Sequence, residues 1–285
     1  GADRLVLLLM LPTVLLLYAL HGVAWWIALR GLGARIGPRQ AITICFISQA
    51  FVLLPGGDLW RVPIVRAEDR RTDPGRIAAS VIFDDLVFYF VLTFAMVPAV
   101  VRVPMLAVPL AVALLPQVTI FWILLSPRLY AFLASRVGHL RLLRRFEPQL
   151  LMLGPSFREL MTARTLVPIV IVDAGCALLA TALFGLSVAA VHETGFGFQQ
   201  IGFTYASGQV LAGLASFPAA LGIFEGMMTG FMAVQGVAPA VAAAAAFIYR
   251  AVNDVLMAII GLGVAFVFER ESLRQIIHPA NVSAG

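Results

Sequence analysis

The sequence predicts an all-α polytopic membrane protein, an inverted repeat with two re-entrant helical hairpins and about five full spans. Three observations carry that prediction. Hydrophobic residues make up 61% of the 285 residues, and mean hydropathy is +0.96. Charged residues make up 12%, about half the ~25% of a soluble protein. Several apolar runs reach the ~20 residues needed to cross ~30 Å of hydrocarbon. They are continuously apolar and not alternating, which argues against a membrane β-barrel.

Full spans are expected over approximately Leu5–Leu29, Pro74–Val101, Pro104–Leu125, Thr165–Ala190 and Pro239–Phe268. Two further apolar segments are too short or too interrupted to cross. Ala41–Leu54 stops at Pro55-Gly56-Gly57. Ile201–Phe217 carries Thr204, Ser207, Gly208, Gln209 and Gly213, stops at Pro218, and is followed after Gly222 by a short helix to Val234. Between Ser126 and Arg164 the chain is less hydrophobic. There Leu129, Phe132, Leu133 and Leu140, with Arg136, Arg141, Arg144 and Arg145, read as an interfacial amphipathic helix.

Charge decides what the two short segments do. Every one of the 20 cationic residues is Arg, and cytoplasmic loops collect such residues. If Ala41–Leu54 and Ile201–Val234 both enter and return, seventeen Arg share one face. Only Arg4 and Arg102 then lie on the other, with Arg250 inside the membrane. This places the C-terminus in the cytoplasm. The resulting plan is repeat 1 over about 5–101, a linking span and interfacial helices over about 104–163, an inverted repeat 2 over about 164–268, and a tail over 269–285. Broken elements at corresponding positions of two halves are the sequence mark of an inverted-repeat transporter.

Ionisable groups at bilayer depth are expensive and mark function. Asp73-Pro74 is a good helix start. At 1.5 Å per residue, Asp84 and Asp85 lie about 15 Å beyond it. Arg250 and Asp254 reach a similar depth from Pro239, as does Asp173 in its span. Asn253 joins Arg250 and Asp254 on a polar patch. Asp58 and Arg61 follow the break at Pro55, Gly56 and Gly57, and Glu225 follows the break at Pro218 and Gly222. The candidate pairs are Arg61 with Asp84 or Asp85, and Arg250 with Glu225 or Asp254. They serve either to pin the hairpins or to exchange a carboxylate for a phosphate, since Arg suits both. Asp173 reads either as a proton or gating site or as a packing contact. Non-helical backbone at depth must be buried or line a wet cavity, so the breaks should line a central cavity.

No catalytic motif is present: no HExxH, GxSxG or P-loop. No metal-ligand spacing and no cofactor motif is evident. Cys45 and Cys176 sit in apolar runs and read as core residues. Nothing points to nucleic acid.

From Phe46 the chain reads FISQAFVLLPGGDLWRVPIVRAEDRR, then Asp-Pro-Gly and an Ala-Ala-Ser-Val-Ile-Phe-Asp-Asp span. From Ser216 it reads SFPAALGIFEGMMTGFMAVQGV, then an Ala-rich span with Tyr-Arg-Ala-Val-Asn-Asp. Together these resemble the lysylphosphatidylglycerol synthase/flippase transmembrane family, including its stand-alone members. That family shows a Pro-Gly-Gly-x-Gly-Asp-x-x-Arg-like stretch, and later Pro-x-x-Gly-Gly-x-Gly-x-x-Glu before a span with Arg. Pro55, Gly56, Gly57, Asp58, Arg61, Gly222, Glu225 and Arg250 match by position. Two departures bear on substrate specificity. The chain has Asp84-Asp85 where the family often has Arg, and it lacks a second Gly before Asp58.

Family members that move aminoacylated phospholipids carry a fused soluble transferase domain, and these 285 residues contain none. The resemblance therefore implies lipid translocation in a bacterial inner membrane, without catalysis or cofactor. Expected partners are membrane lipids, with a lipid-modifying enzyme or a second copy as further candidates. A membrane scaffold for such an enzyme, and an intramembrane enzyme acting on lipid headgroups, are the alternatives.

Overall fold

A computed structural model describes residues 4–52, 54, 56–102, 107–138, 147–193, 195–214 and 222–268. The expected hairpin prolines Pro55 and Pro218 lie outside the described residues. So do Leu140, Arg141, Arg144 and Arg145, and the tail with Arg270 and Arg274. Among the described residues all regular structure is helical.

The order is α1 (Arg4–Gly31), α2 (Pro38–Ser48), α3 (Arg61–Glu68), α4 (Pro74–Ala95), α5 (Val97–Arg102), α6 (Ala107–Leu125), α7 (Pro127–Gly138) and α8 (Glu147–Leu160). Then follow α9 (Ala163–Ala190), α10 (Phe198–Leu214), α11 (Ile223–Val234), α12 (Pro239–Arg250) and α13 (Met257–Phe268). A π-helical turn, Ala251–Leu256, joins the last two into one long helix. Five helices are long and apolar enough to cross a membrane: α1, α4, α6, α9 and the joined α12–α13. Leu8, Leu16, Trp122, Ile171, Leu178, Phe247, Ile259 and Phe266 stand exposed on them. That much outward apolar surface suits hydrocarbon and not water. The chain is a multi-pass membrane protein.

Local chemistry sets the helix ends. Asp73 Oδ1 accepts from the Gly75 amide at 2.7 Å, and Pro74 is the first helical residue. At the other end α4 stops at Ala95, short of the expected Val101. Pro98 has no N–H for the Phe94 carbonyl, and its ring would press on that group, so the helix breaks and restarts as α5. Pro38 opens α2 earlier than expected, with the Gly37 amide donating to Gln40 Oε1 at 3.2 Å. The region after Ser126 forms two described helices. Amphipathic α7 exposes Phe132, with Arg136 5.2 Å above its ring. α8 instead buries Phe157 and Leu160, and Phe157 meets Phe83 of α4 edge-on at 5.0 Å.

The most extensive helix contact is between α1 and α9, both 28 residues long. The helix after each packs across the molecule: α2 contacts α1 and α13, and α10 contacts α9 and α4. At Gly261 of α13 a Cβ would collide with the Phe46 carbonyl oxygen and sit 2.9 Å from the Ala50 amide nitrogen. Only glycine permits that approach.

Outside the spans, Asp69 stitches the loops at one end. It accepts from Thr72 Oγ1 at 2.6 Å and from the amides of Arg35 and Arg71 at 3.1 Å each. These donors, Thr72 foremost, hold its carboxyl below the ordinary range.

Candidate functional site

Both helix breaks depend on glycine. Gly56 has φ +69° and Gly222 φ +80°, values L-residues rarely adopt. After Gly56 the chain makes a tight turn at Gly57–Trp60 and starts α3 at Arg61. After Gly222 it starts α11, whose first turn carries Glu225. Each break thus delivers charged side chains towards the centre of the bundle.

Arg61 is buried. Its guanidinium lies 5.3 Å from the centre of the Trp25 ring, and Trp25 is fixed by its Nε1–H donating to Ser80 Oγ at 3.0 Å. Arg61 Nη2 donates to Asp58 Oδ1 at 2.8 Å, and Nε donates to Ser48 Oγ at 3.3 Å. Nη1 stands 3.7 Å from Asp84 Oδ2. Neither Arg61 Nη1 nor Asp84 Oδ1 has a hydrogen-bond partner, although both are buried. The Arg61–Asp84 pair is therefore loose.

The Arg250 guanidinium lies 5.1 Å from the centre of the Phe224 ring. Its Nε donates to Glu225 Oε1 at 2.8 Å and its Nη1 to Asp254 Oδ2. Asn253 Nδ2 donates to Asp254 Oδ1 at 2.7 Å. Asn253 and Asp254 lie in the π-turn, where an extra residue per turn re-aims side chains, often at functional sites.

One cavity of about 470 Å³ joins these two clusters. Arg61, Arg250, Asp58, Asp85, Asn253, Asp254, Gly56 and Gly57 line it. Asp84 lies behind Arg61, and Glu225 behind Arg250. Both halves of the expected pairing are thus formed, with Asp84 as the span partner of Arg61 and with Glu225 and Asp254 both on Arg250. Asp58 is an additional partner of Arg61. Asp173 is separate. It is fully buried in α9, and its carboxylate groups with His21 of α1 and Cys176, the one His/Cys/Asp/Glu set among the described residues close enough to hold a metal.

Sequence reasoning did not single out Tyr18, His21, Gln49 and Tyr249, which line the cavity together with Tyr89 and Gln209. Tyr249 stacks on Phe224 at 5.4 Å and donates to Tyr205 Oη at 3.1 Å. Tyr18 donates to the Asn253 carbonyl at 3.3 Å and ties α1 to the π-turn. The usable signal was polar residues inside otherwise apolar helices.

The fold and site are those of a multi-pass helical membrane protein with two arginines lining one internal cavity. The family model for the lysylphosphatidylglycerol synthase TM region matches residues 2–261. The chain belongs to that family, whose domain is tied to membrane lipids. No curated protein matches the chain.

Proposed function

We propose that the protein is a lipid flippase, moving a phospholipid or another amphiphilic lipid between leaflets through the central cavity. The observation that carries this reading is that Arg61 and Arg250 line one cavity, each bedded on an aromatic ring and each held by carboxylates. Its ~470 Å³ falls in the range of small-molecule pockets, about 300–1,000 Å³. That suits a phosphate-bearing headgroup, with the acyl chains left in the bilayer.

Arg binds carboxylate and phosphate with the same planar fork. A headgroup phosphate would displace the loose Asp84 contact from Arg61 and compete with Glu225 and Asp254 for Arg250. The released carboxylates, with Asp85, would then face any cationic part of the headgroup. Transport needs no bond to be broken, and no nucleotide motif is present in the sequence. Gradient, membrane potential or removal of the lipid would drive it. The role is transport and not catalysis.

In this reading α2–α3 and α10–α11 are re-entrant hairpins of an inverted repeat, entering from opposite faces of a bacterial inner membrane, with the C-terminus cytoplasmic. The exchanged packing of α2 on α13 and α10 on α4 supports the repeat. The arginine asymmetry supports the orientation.

The test is lipid mass spectrometry on purified wild type and on a folded Arg61→Ala/Arg250→Ala variant, followed by headgroup-accessibility assays in proteoliposomes. One lipid class enriched in the wild type, lost in the variant, and moved between leaflets only by the wild type is the expected result. Unselective lipid in both, with no transbilayer movement, would sink the proposal.

A further inference from the structure

We propose that His21, Asp173 and Cys176 form a binding site for a zinc-class divalent metal ion where α1 crosses α9. One nitrogen, one oxygen and one sulfur ligand atom from these residues all lie within 4.8 Å of one another. Tetrahedral zinc with bonds of 2.0–2.3 Å sets its ligand atoms about 3.5 Å apart. Side-chain adjustments of roughly an ångström would therefore close the site.

The second observation is Asp173 itself. It has no exposed surface, and neither carboxylate oxygen has a hydrogen-bond partner. A buried carboxylate without a partner is costly, more so at membrane depth. Its neighbours in the cluster are a thiol and an imidazole, both standard zinc ligands. Asp173 and Cys176, three residues apart on α9, share one helix face. His21 approaches from α1, its ring held edge-on to Phe88 at 4.6 Å.

Charge supports a divalent ion over a monovalent one. A carboxylate, a thiolate and a neutral imidazole around a 2+ ion sum to zero, the arrangement a hydrocarbon setting favours. On binding, the Cys176 thiol proton, and that of Asp173 if present, would be released to solvent. The sulfur–nitrogen–oxygen set suits zinc or cobalt and excludes magnesium and calcium, which take all-oxygen shells. Of the three, His21 also lines the central cavity, whereas Asp173 and Cys176 are fully buried. The inference does not rest on lipid transport, and neither fails with the other.

The test uses the full chain in detergent, with any affinity tag removed. Metal content is read by plasma mass spectrometry, and Co²⁺ is titrated in while absorption is followed. Only Cys45 and Cys176 can give a thiolate-to-cobalt charge-transfer band, because the chain has two cysteines. The expected result is stoichiometric zinc or cobalt and a charge-transfer band that survives Cys45→Ser and vanishes in Cys176→Ser. His21→Ala and Asp173→Asn are expected to weaken Co²⁺ binding by at least ~10-fold. A wild-type chain that takes up no Co²⁺, or a band that persists in Cys176→Ser, overturns the site. The wild-type titration needs no variant, so a misfolded mutant does not shield the proposal.

Discussion

Glu225 divides its carboxylate between two elements: Oε2 accepts from the Gly222 amide at 2.8 Å, and Oε1 accepts from Arg250 Nε, also at 2.8 Å. One side chain therefore caps α11 and ties it to α12. The helix start and the ion pair depend on the same group.

Glu225→Ala should consequently cost more than a cap alone. Losing a cap costs about 0.5–2 kcal/mol, and breaking a buried pair about 3–5 kcal/mol. For this partly buried group we expect a loss of about 2–4 kcal/mol. Glu225→Gln, which keeps the cap acceptor, should lose less. Thermal unfolding in detergent measures both.

Arg61→Lys keeps the charge but gives up the planar fork and its stacking on Trp25. A hydrogen bond to a charged group is worth about 1.5–3 kcal/mol, so headgroup enrichment should fall about 10- to 100-fold. Native mass spectrometry with titrated lipid reads the change. Retention of wild-type enrichment would remove Arg61 from the headgroup site.

Asp69 predicts a pH effect away from the cavity. Its carboxyl is lowered in the folded state, chiefly by Thr72 and then by the amides of Arg35 and Arg71. The charged form is the one the fold favours. Its contribution is present above the ordinary carboxylate value of about 3.9 and is lost as pH falls through the lower folded value. Asp69→Asn should therefore lower the melting temperature at neutral pH, and the gap to wild type should narrow below about pH 4. A pH series of melting curves on both proteins checks the sign.

Gly261→Ala places a methyl group against the Phe46 carbonyl and the Ala50 amide. Both are backbone atoms and cannot rotate aside. Overpacking of this kind costs about 1–3 kcal/mol. Gly263, with nothing near its Cβ position, is the control: Gly263→Ala should leave the melting temperature unchanged or raise it.

The spans were legible because hydropathy acts along the chain, and a ~20-residue apolar run has few other uses. Asp73-Pro74 marked a helix start for the same local reason. The charged partners of Arg61 and Arg250 were readable because few ionisable groups sit at that depth. What the sequence hid was rotational setting. α1, α4 and α9 are apolar nearly all round, so no stripe shows which face meets which neighbour. Trp25 beneath Arg61, Tyr18 on the π-turn and His21 beside Asp173 all depend on that setting. The end of α4 was misread because Pro98 was treated as part of a continuous apolar run. The π-turn carries no composition of its own. It became visible only where Asn253 and Asp254 turned inwards.

The close seat of α13 on α2 also orders the making of the protein. α2 is synthesised long before α13, so the groove beside Gly261 that receives Phe46 and Ala50 does not exist until α13 has followed. The earlier half of the molecule must wait in the membrane, with the face of α2 that carries Phe46 uncovered, for α13 to arrive. The assembled cavity therefore needs both halves, Arg61 from one and Arg250 from the other, and neither can build it in advance.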